Sequence, residues 1–297
     1  MPRSEAREVR IGRRQLRLVN LDKVLYPEAG FTKAQVIDYY ARISEALLPH
    51  LRGRPLTLKR YPNGVDQPYF YEKRCPAHRP AWVHSEEADG IRYCVIDDLP
   101  SLVWAANLAD LELHVPLAQA KTYHRPDLLV FDLDPGAPAD LVQCCEVALL
   151  LHRLFESLRL KSFAKTSGSK GLQVYVPLNT SGVTYDDTKP FARAVAEALE
   201  REQPRLVVSN MKKSLRAGKV LVDWSQNDPH KTTVCVYSLR ALPRPTVSTP
   251  LEWDEVAAGA QGKARLVFEA DEALRRVAGR GDSFAPLLEL KQKLPRP

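Results

Sequence analysis

Three aspartates interrupt two apolar runs of the sequence. Asp132 and Asp134 lie in the run LLVFDLDPG (128–136), and Asp223 lies in the run KVLVDW (219–224). Side chains two positions apart on a β-strand share a face, so the first two acids point the same way. Burying such anions is unfavourable unless cations or several hydrogen-bond donors meet them.

A pair of divalent metal ions would meet all three carboxylates. Carboxylate oxygens favour Mg²⁺ or Mn²⁺ over zinc, and paired ions recur in enzymes that displace groups at phosphorus. Buried salt bridges to arginine or lysine are the alternative at this stage. The acids therefore predict either a metal-dependent phosphoryl-transfer site or a structural ion-pair network.

A turn of small residues, KTSGSKG (165–171), separates two predicted strands at 161–165 and 171–178. Its backbone N–H groups, the Ser167 hydroxyl and the Lys170 ammonium are suited to phosphate oxygens. The G-x-x-x-x-G-K-[ST] spacing is missing and a strand follows, which disfavours a P-loop ATPase. A hairpin turn with solvated lysines is the alternative.

A second basic stretch, KKSLRAGK (212–219), immediately precedes the Asp223 strand and contains Arg216. Gln226 follows that strand, and Arg240 ends the next predicted strand. Cations beside metals are what phosphoryl transfer requires, although each of these residues could also be solvated. His114 carries a weaker signal, because a histidine in an apolar run is usually packed.

Two lysines near the N-terminus flank the start of a predicted helix. Lys23 and Lys33 would add their charge to the free N–H groups and dipole of the helix N-terminus, which suits a terminal phosphate. The alternative is a solvated face. Phe70 and Tyr71 either pack in the core or stack on exposed bases.

Composition agrees with a nucleic-acid partner and excludes a membrane span. The 297 residues carry a net charge of +7, which suits a polyanion. No apolar stretch approaches ~18 residues and no secretory signal is present, so we expect a cytoplasmic, nucleoid-associated protein. The odd cysteine count predicts free thiols in a reducing compartment, with Cys75 and His78 as at most half of a zinc site.

Periodicity predicts mixed α and β structure. Helices are expected from Thr32, with Gln35 completing a capping box, to the segment 49–55; from a Ser101 cap through Leu113; over 139–160; and over 189–201. A strand is also expected over 232–239. The proline-rich segment 243–250 suggests one catalytic domain with a basic N-terminal extension (1–19), a core (20–242) and a helical C-terminal extension (243–297).

The motifs FDLDPG, TSGSKGL and VDWSQN, in this order, resemble the polymerase domain of bacterial DNA ligase D and its stand-alone primase-polymerase relatives. The resemblance runs from NLDKVLYP (20–27) to YSLR (237–240) and includes KRYPNGVDQP (59–68) and SLRAGK (214–219). It implies the archaeo-eukaryotic primase superfamily, with an α+β core of mixed and antiparallel sheets flanked by helices.

The resemblance also implies a function. Such enzymes are template-directed nucleotidyltransferases that fill gaps and extend ends in bacterial non-homologous end joining, prefer ribonucleotides and manganese, and work beside Ku and a DNA ligase. The catalytic metals, two Mn²⁺ or Mg²⁺ ions, would be bound by Asp132, Asp134 and Asp223.

The remaining implied roles concern the substrates. The incoming NTP or dNTP would contact Lys59, His114 (at the sugar), Ser167, Lys170, Arg216, Gln226 and Arg240. The downstream 5′-phosphate would contact Lys23 and Lys33, and the template would stack on Phe70 and Tyr71.

One position departs from the pattern, because many relatives have histidine where this chain has Gln173. Glutamine can hydrogen-bond a phosphate oxygen or a metal-bound water but carries no titrating proton. The K-x-D-G motif of a nucleotidyl-transferring ligase is absent, so ligation must come from elsewhere. A two-metal nuclease and a non-catalytic, 5′-phosphate-dependent end-binding module remain as alternatives, and completeness of the chain, sugar selectivity, primase activity and oligomeric state stay open.

Overall fold

The computed structural model describes residues 6–295, so part of the predicted basic extension, residues 1–5, and the last two residues lie outside it. The helices in chain order are α1 (Lys33–Leu51), α2 (Leu99–Asn107), α3 (Leu141–Ser157), α4 (Tyr185–Glu202), α5 (Trp253–Ala260) and α6 (Ala270–Arg280).

The strands fall into two larger sheets and three two-stranded ones. They are β1 (Arg7–Ile11), β2 (Arg14–Leu18), β3 (Val24–Tyr26), β4 (Phe31–Thr32), β5 (Thr57–Arg60), β6 (Phe70–Glu72), β7 (Ser85–Ala88), β8 (Ile91–Cys94), β9 (Asp110–Val115), β10 (Leu128–Pro135), β11 (Phe163–Thr166), β12 (Leu172–Pro177), β13 (Val207–Val208), β14 (Val220–Asp223), β15 (Thr233–Val234) and β16 (Pro250–Leu251).

The larger sheet has the order β13-β14-β10-β12-β11-β16 and is antiparallel except for the β13–β14 pair. In its central strand β10, Leu129, Phe131 and Leu133 are fully buried in a core with α3 and α4. The alternation of the strand therefore turns Asp132 and Asp134 to the opposite face. The predicted alternation, with the two aspartates on one face of the strand and the apolar residues on the other, is confirmed.

The smaller sheet has the order β15-β9-β5-β6 and is antiparallel throughout. Helices α1 and α2 pack against each other in its core, where the Tyr40 hydroxyl donates to the Leu111 carbonyl at 2.8 Å. Tyr39 donates to the Tyr237 carbonyl at 2.7 Å and so ties α1 to the loop after β15. This sheet brings Lys59 on β5 beside His114 on β9.

Strands β1 and β2 form a hairpin with an arginine-rich surface. Leu16 and Leu18 anchor one face in the core. Glu8 pairs with Arg17, and two positions along Arg10 pairs with Gln15, so the outer face carries both Arg17 and Arg10. All the arginines of the hairpin are exposed: Arg7, Arg10, Arg13, Arg14 and Arg17.

The first helix has the predicted capping box: Gln35 N donates to Thr32 Oγ1, and Thr32 N donates to Gln35 Oε1. The predicted helix from Ser101 through Leu113 is wrong. Asp98 is its cap, and α2 ends at Asn107 because Ala109 takes a positive φ of 58° and turns the chain into β9.

Two further boundaries differ from the prediction. Helix α4 begins at Tyr185, before the predicted residue 189, because Thr184 and Asp187 form a capping box. The predicted strand 232–239 is regular only over Thr233–Val234, after which Tyr237, with a φ of 62°, bends the chain.

The expectation of five free thiols is also wrong. Cys75 N donates to the Arg92 carbonyl, which brings Cys75 next to Cys94, and the two form a disulfide. Cys144, Cys145 and Cys235 are free and buried. Within residues 6–295, no helix has the length and apolarity to cross a membrane.

Candidate active site

The three aspartates meet where β10 and β14 pair. Asp132 lies directly opposite Asp223 in the register, and Asp134 follows on the same face. Burial raises the pKa of Asp132, and the charge of Asp134 raises it further. Burial and the charge of Asp223 likewise raise the pKa of Asp134. The carboxylates therefore repel one another, and a divalent cation would relieve this repulsion.

The carboxylate oxygens of the three aspartates are ligands that suit Mg²⁺ or Mn²⁺, but in this structure the three side chains do not converge on one ion position. Among the described residues, no group of three or more His, Cys, Asp or Glu has the arrangement to hold a metal as it stands. Asp223 instead accepts hydrogen bonds from the Ser225 hydroxyl at 2.6 Å and from Gln226 Nε2 at 3.1 Å. Metal binding would compete with these two donors.

Three buried polar atoms around the aspartates have no hydrogen-bond partner within residues 6–295. They are Arg216 Nε, Gln226 Oε1 and Arg240 Nε. Arg216 Nη2 donates to the Met211 carbonyl at 2.7 Å, and its positive charge lowers the pKa of Asp134. Buried polar groups are normally paired, so these atoms fit a site that takes a polar ligand.

A pocket opens in front of Asp132 and Asp134. Its walls include six of the predicted site residues and also Gln173, the position that differs from many relatives. The seven residues are His114, Asp132, Asp134, Ser167, Lys170, Gln173 and Arg240. Lys59 joins them through its contact with Glu112, which also contacts His114 and Arg240. The structure thus gathers acids and cations predicted from segments up to about 180 residues apart, as Lys59 and Arg240 show.

The Ser167 turn closes one side of the pocket. Ser167 Oγ accepts hydrogen bonds from the N–H groups of Ser169 and Gly171, each at 3.2 Å, so these amides are occupied and the Ser167 hydroxyl proton is free to donate to a ligand. Gly168 has a φ of 70°, and a Cβ there would meet Ser248 N at 2.8 Å. Arg240 Nη1 donates to the Ser167 carbonyl and fixes the turn.

Beneath the pocket lies Lys165, which begins the KTSGSKG turn and has no role among those predicted from the sequence. It is 1% exposed and donates to Gln173 Oε1 at 2.5 Å, Ser248 Oγ at 2.6 Å and the Val234 carbonyl at 3.1 Å. Burial lowers its pKa to about 7. Because Gln173 Oε1 accepts from Lys165, its amide group serves Asp132, where a hydrogen bond from Gln173 lowers the pKa of the acid.

The two N-terminal lysines lie together at the start of α1. Lys33 is 5% exposed and its Nζ donates to the Val19 carbonyl at 2.8 Å. Burial, then the charges of Lys23 and Arg60, lower the pKa of Lys33 to about 8. Lys23 Nζ donates to Asn63 Oδ1 at 2.8 Å.

The N-terminal amides of α1 are not available to a phosphate, contrary to the sequence argument. Lys33 N donates to the Lys23 carbonyl at 2.8 Å, Ala34 N to the Leu21 carbonyl at 2.9 Å, and Gln35 N to the Thr32 side chain. The two lysine ammonium groups, rather than free helix amides, must therefore supply the attraction for an anion.

Phe70 and Tyr71 are both exposed, at 44% and 54%, but they point to opposite faces of β6. The Tyr71 ring lies 6.1 Å from that of His114 and faces Lys59. The Phe70 ring lies under the Arg60 guanidinium at 5.1 Å. They do not form one stacking platform. Tyr69, half exposed and stacked at 5.0 Å on Tyr61, extends the Tyr71 face and was not predicted as a site residue.

The fold and this pocket define a nucleotidyltransferase of the primase-polymerase class. The family model described as the LigD primase-polymerase domain matches residues 32–284, and the chain belongs to this family. The predicted family, the α+β fold and the enzyme class are confirmed. Enzymes of this class need divalent metal ions.

Two curated relatives and one solved structure illustrate the similarity. The multifunctional non-homologous end joining protein LigD of Mycolicibacterium smegmatis is 43% identical over 279 residues, 92% of this chain and 36% of that protein. The bifunctional LigD of Bacillus subtilis is 33% identical over 270 residues, 91% of this chain and 44% of that protein. The chain thus spans less than half of either relative.

The polymerase domain from Mycobacterium tuberculosis ligase D in complex with DNA has a similar structure. The TM-score is 0.85 at 42% identity, and the match covers 93% of this chain and 99% of that one.

Proposed function

We propose that this chain is a template-directed polymerase that adds a nucleotide to a primer 3′-hydroxyl at a DNA gap or end. One observation carries the proposal: a single pocket combines Asp132 and Asp134 with Ser167, Lys170 and Arg240. A phosphoryl-transfer site needs acids for metal ions and cations for the phosphates. A nuclease needs no such triphosphate cradle, so the pocket favours polymerisation.

The metal ions would be held by Asp132, Asp134 and Asp223. When bound, two Mn²⁺ or Mg²⁺ ions supply Lewis acidity at the reacting phosphate and the primer hydroxyl. Gln173 orients the Asp132 carboxylate through its amide, and Lys165 fixes the amide from below.

The triphosphate would lie between the Ser167 turn and the cations of the pocket. Lys59, Lys170, Arg216 and Arg240 neutralise the charge that develops on its oxygens. Gln226 orients Asp223, because its Nε2 donates a hydrogen bond to Asp223 Oδ2 at 3.1 Å. His114 faces the sugar, and we propose that ribonucleotides are preferred.

The DNA would lie across the smaller sheet. Lys23 and Lys33 bind the downstream 5′-phosphate. Phe70 stacks on template bases from one face of β6, and Tyr71, on the face of His114 and Lys59, contacts the template beside the incoming nucleotide. The related structure from M. tuberculosis was determined with DNA, and its relatives act in non-homologous end joining. We propose the same setting for this chain, in the cytoplasm at the nucleoid, with Ku and a DNA ligase as partners and with the catalytic core at 20–242.

Single-nucleotide extension across a short gapped duplex with Mn²⁺ tests the proposal. Ribonucleotides are compared with deoxynucleotides, and a downstream 5′-phosphate with a 5′-hydroxyl. Templated addition that the phosphate stimulates is the expected result. Phosphate-dependent binding without addition would instead indicate a non-catalytic end-binding module, and release of nucleotides from the primer would indicate a nuclease.

A further inference from the structure

Glu112 is a buried carboxylate that contacts residues of the nucleotide site and has no role among those predicted from the sequence. It lies on β9, is 2% exposed, and sits opposite Lys59 of β5 in the sheet register. Its Oε2 lies 3.1 Å from Lys59 Nζ, 2.9 Å from His114 Nε2 and 3.4 Å from Arg240 Nε. One oxygen thus contacts three residues that the proposed function assigns to the nucleotide.

The second oxygen of Glu112 fixes the backbone of the same site. Oε1 accepts a hydrogen bond from Ala241 N at 3.0 Å, directly after Arg240 in the chain. The carboxylate therefore joins β5, β9 and the loop after β15. Burial alone would raise the pKa of Glu112, but the hydrogen bond from His114 and the charges of Arg240 and Lys59 hold this pKa below its usual value. Glu112 is ionised at neutral pH.

We propose that Glu112 is a positioning residue of the nucleotide site, which holds Lys59, His114 and Arg240 where they contact the triphosphate and the sugar. The inference rests on the proposed function, because it assumes that these three residues bind a nucleotide. Long cationic side chains have many rotamers, and a shared buried counter-charge selects one of them for each. Without Glu112, Lys59 and Arg240 would repel each other across the site.

Glu112 also determines the hydrogen-bonding role of His114. A carboxylate only accepts hydrogen bonds, so His114 Nε2 is the donor in their 2.9 Å contact. Burial lowers the pKa of His114, which favours the neutral ring, although Glu112 opposes this effect. In the neutral ring that carries its proton on Nε2, Nδ1 is an acceptor, suited to a sugar hydroxyl that donates. A deoxynucleotide lacks the 2′-hydroxyl, so the fixed tautomer favours ribonucleotides.

Glu112→Gln tests this role, because it keeps the size of the side chain and removes its charge. Gap filling opposite a template T is measured with Mn²⁺ and either ATP or dATP. We expect the KM for ATP to rise about tenfold or more, with kcat reduced only about threefold. The ATP-to-dATP ratio of kcat/KM should fall, because a glutamine amide no longer forces one tautomer on His114.

Glu255→Gln is the matched control. Glu255 is also a paired carboxylate, held by Arg276 at 2.7 Å, but it lies on α5 outside the pocket. Its substitution should leave KM and the ATP-to-dATP ratio unchanged. An unchanged KM and ratio in folded Glu112→Gln, or a loss in kcat alone, would overturn the inference.

Glu112→Asp keeps the test decisive if Glu112→Gln does not fold. Aspartate retains the charge but withdraws it by one methylene group, so an intermediate KM is expected; a wild-type KM would count against positioning. The two proposals fail differently. An inactive wild-type protein refutes the polymerase function, whereas an active wild-type protein with unaffected Glu112 variants refutes only the role of Glu112.

Discussion

Recognition of the 5′-phosphate should weaken as the pH rises from 7 to 9, because of Lys33. Burial, then the charges of Lys23 and Arg60, lower the pKa of the Lys33 ammonium to about 8. The free protein therefore carries this charge in about 90% of molecules at pH 7 and in about 10% at pH 9. A terminal phosphate has its second pKa near 6, so its own charge hardly changes over this range.

The size of the effect follows from linkage. If only the protonated form of Lys33 attracts the phosphate, the phosphate-specific part of the binding constant falls about tenfold from pH 7 to pH 9. Fluorescence anisotropy with gapped duplexes that end in a 5′-phosphate or a 5′-hydroxyl measures this part as the ratio of two Kd values. Constant ionic strength removes general salt effects.

Two variants of Lys33 complete the experiment. Lys33→Arg stays charged at every pH used, so its ratio should be flat and high. Lys33→Gln has no charge, so its ratio should be flat and low. A flat ratio in the wild-type protein, or an equal fall in Lys33→Arg, would refute the reasoning.

Three further predictions concern the metal site, the aromatic residues and the arginine hairpin. Asp132→Asn should reduce the rate of nucleotide addition by at least about a hundredfold, while DNA affinity stays within about twofold. A variant that still adds nucleotides at an appreciable rate would show that Asp132 is not a metal ligand. Tyr71→Ala should mainly raise the KM for the nucleotide, and Phe70→Ala should mainly weaken DNA binding. Each loss should correspond to a free energy of about 1–3 kcal/mol. The same change in KM and in DNA affinity for both variants would contradict their opposite orientation. Replacing Arg10 and Arg17 by glutamine should make the negative slope of log K for DNA binding against log salt concentration less steep by about 2, if both arginines contact phosphates. An unchanged slope would show that the hairpin does not contact DNA.

The acid-bearing strands were predictable because each carries its own pattern. Alternation along 128–134 alone turns Asp132 and Asp134 to one face, and the structure agrees. The pairing of Asp132 with Asp223 was not readable, since strand order depends on contacts between segments about 90 residues apart. Local signals do not encode such pairings.

The role of Glu112 was hidden by an error in one boundary. With the second helix extended to Leu113, Glu112 and His114 would point in different directions, whereas on β9 they share a face. The end of the helix depends on the positive φ of Ala109, a residue with no turn signal of its own. The opposite orientations of Phe70 and Tyr71 follow from a strand only three residues long, which is too short to give a periodic pattern.

Strand β5 links two sites that the function uses for different molecules. Lys59 contacts Glu112 beside the pocket, whereas Arg60, the next residue, contacts Phe70, and its charge lowers the pKa of Lys33. Their Cα atoms are only about 3.8 Å apart, so a shift of this backbone at one site displaces the other. Linkage then requires reciprocity: if a bound 5′-phosphate tightens nucleotide binding by some factor, the nucleotide tightens phosphate binding equally. Through this one short strand, a gap that offers both a 5′-phosphate and a matching nucleotide would bind more tightly than the two separate affinities predict.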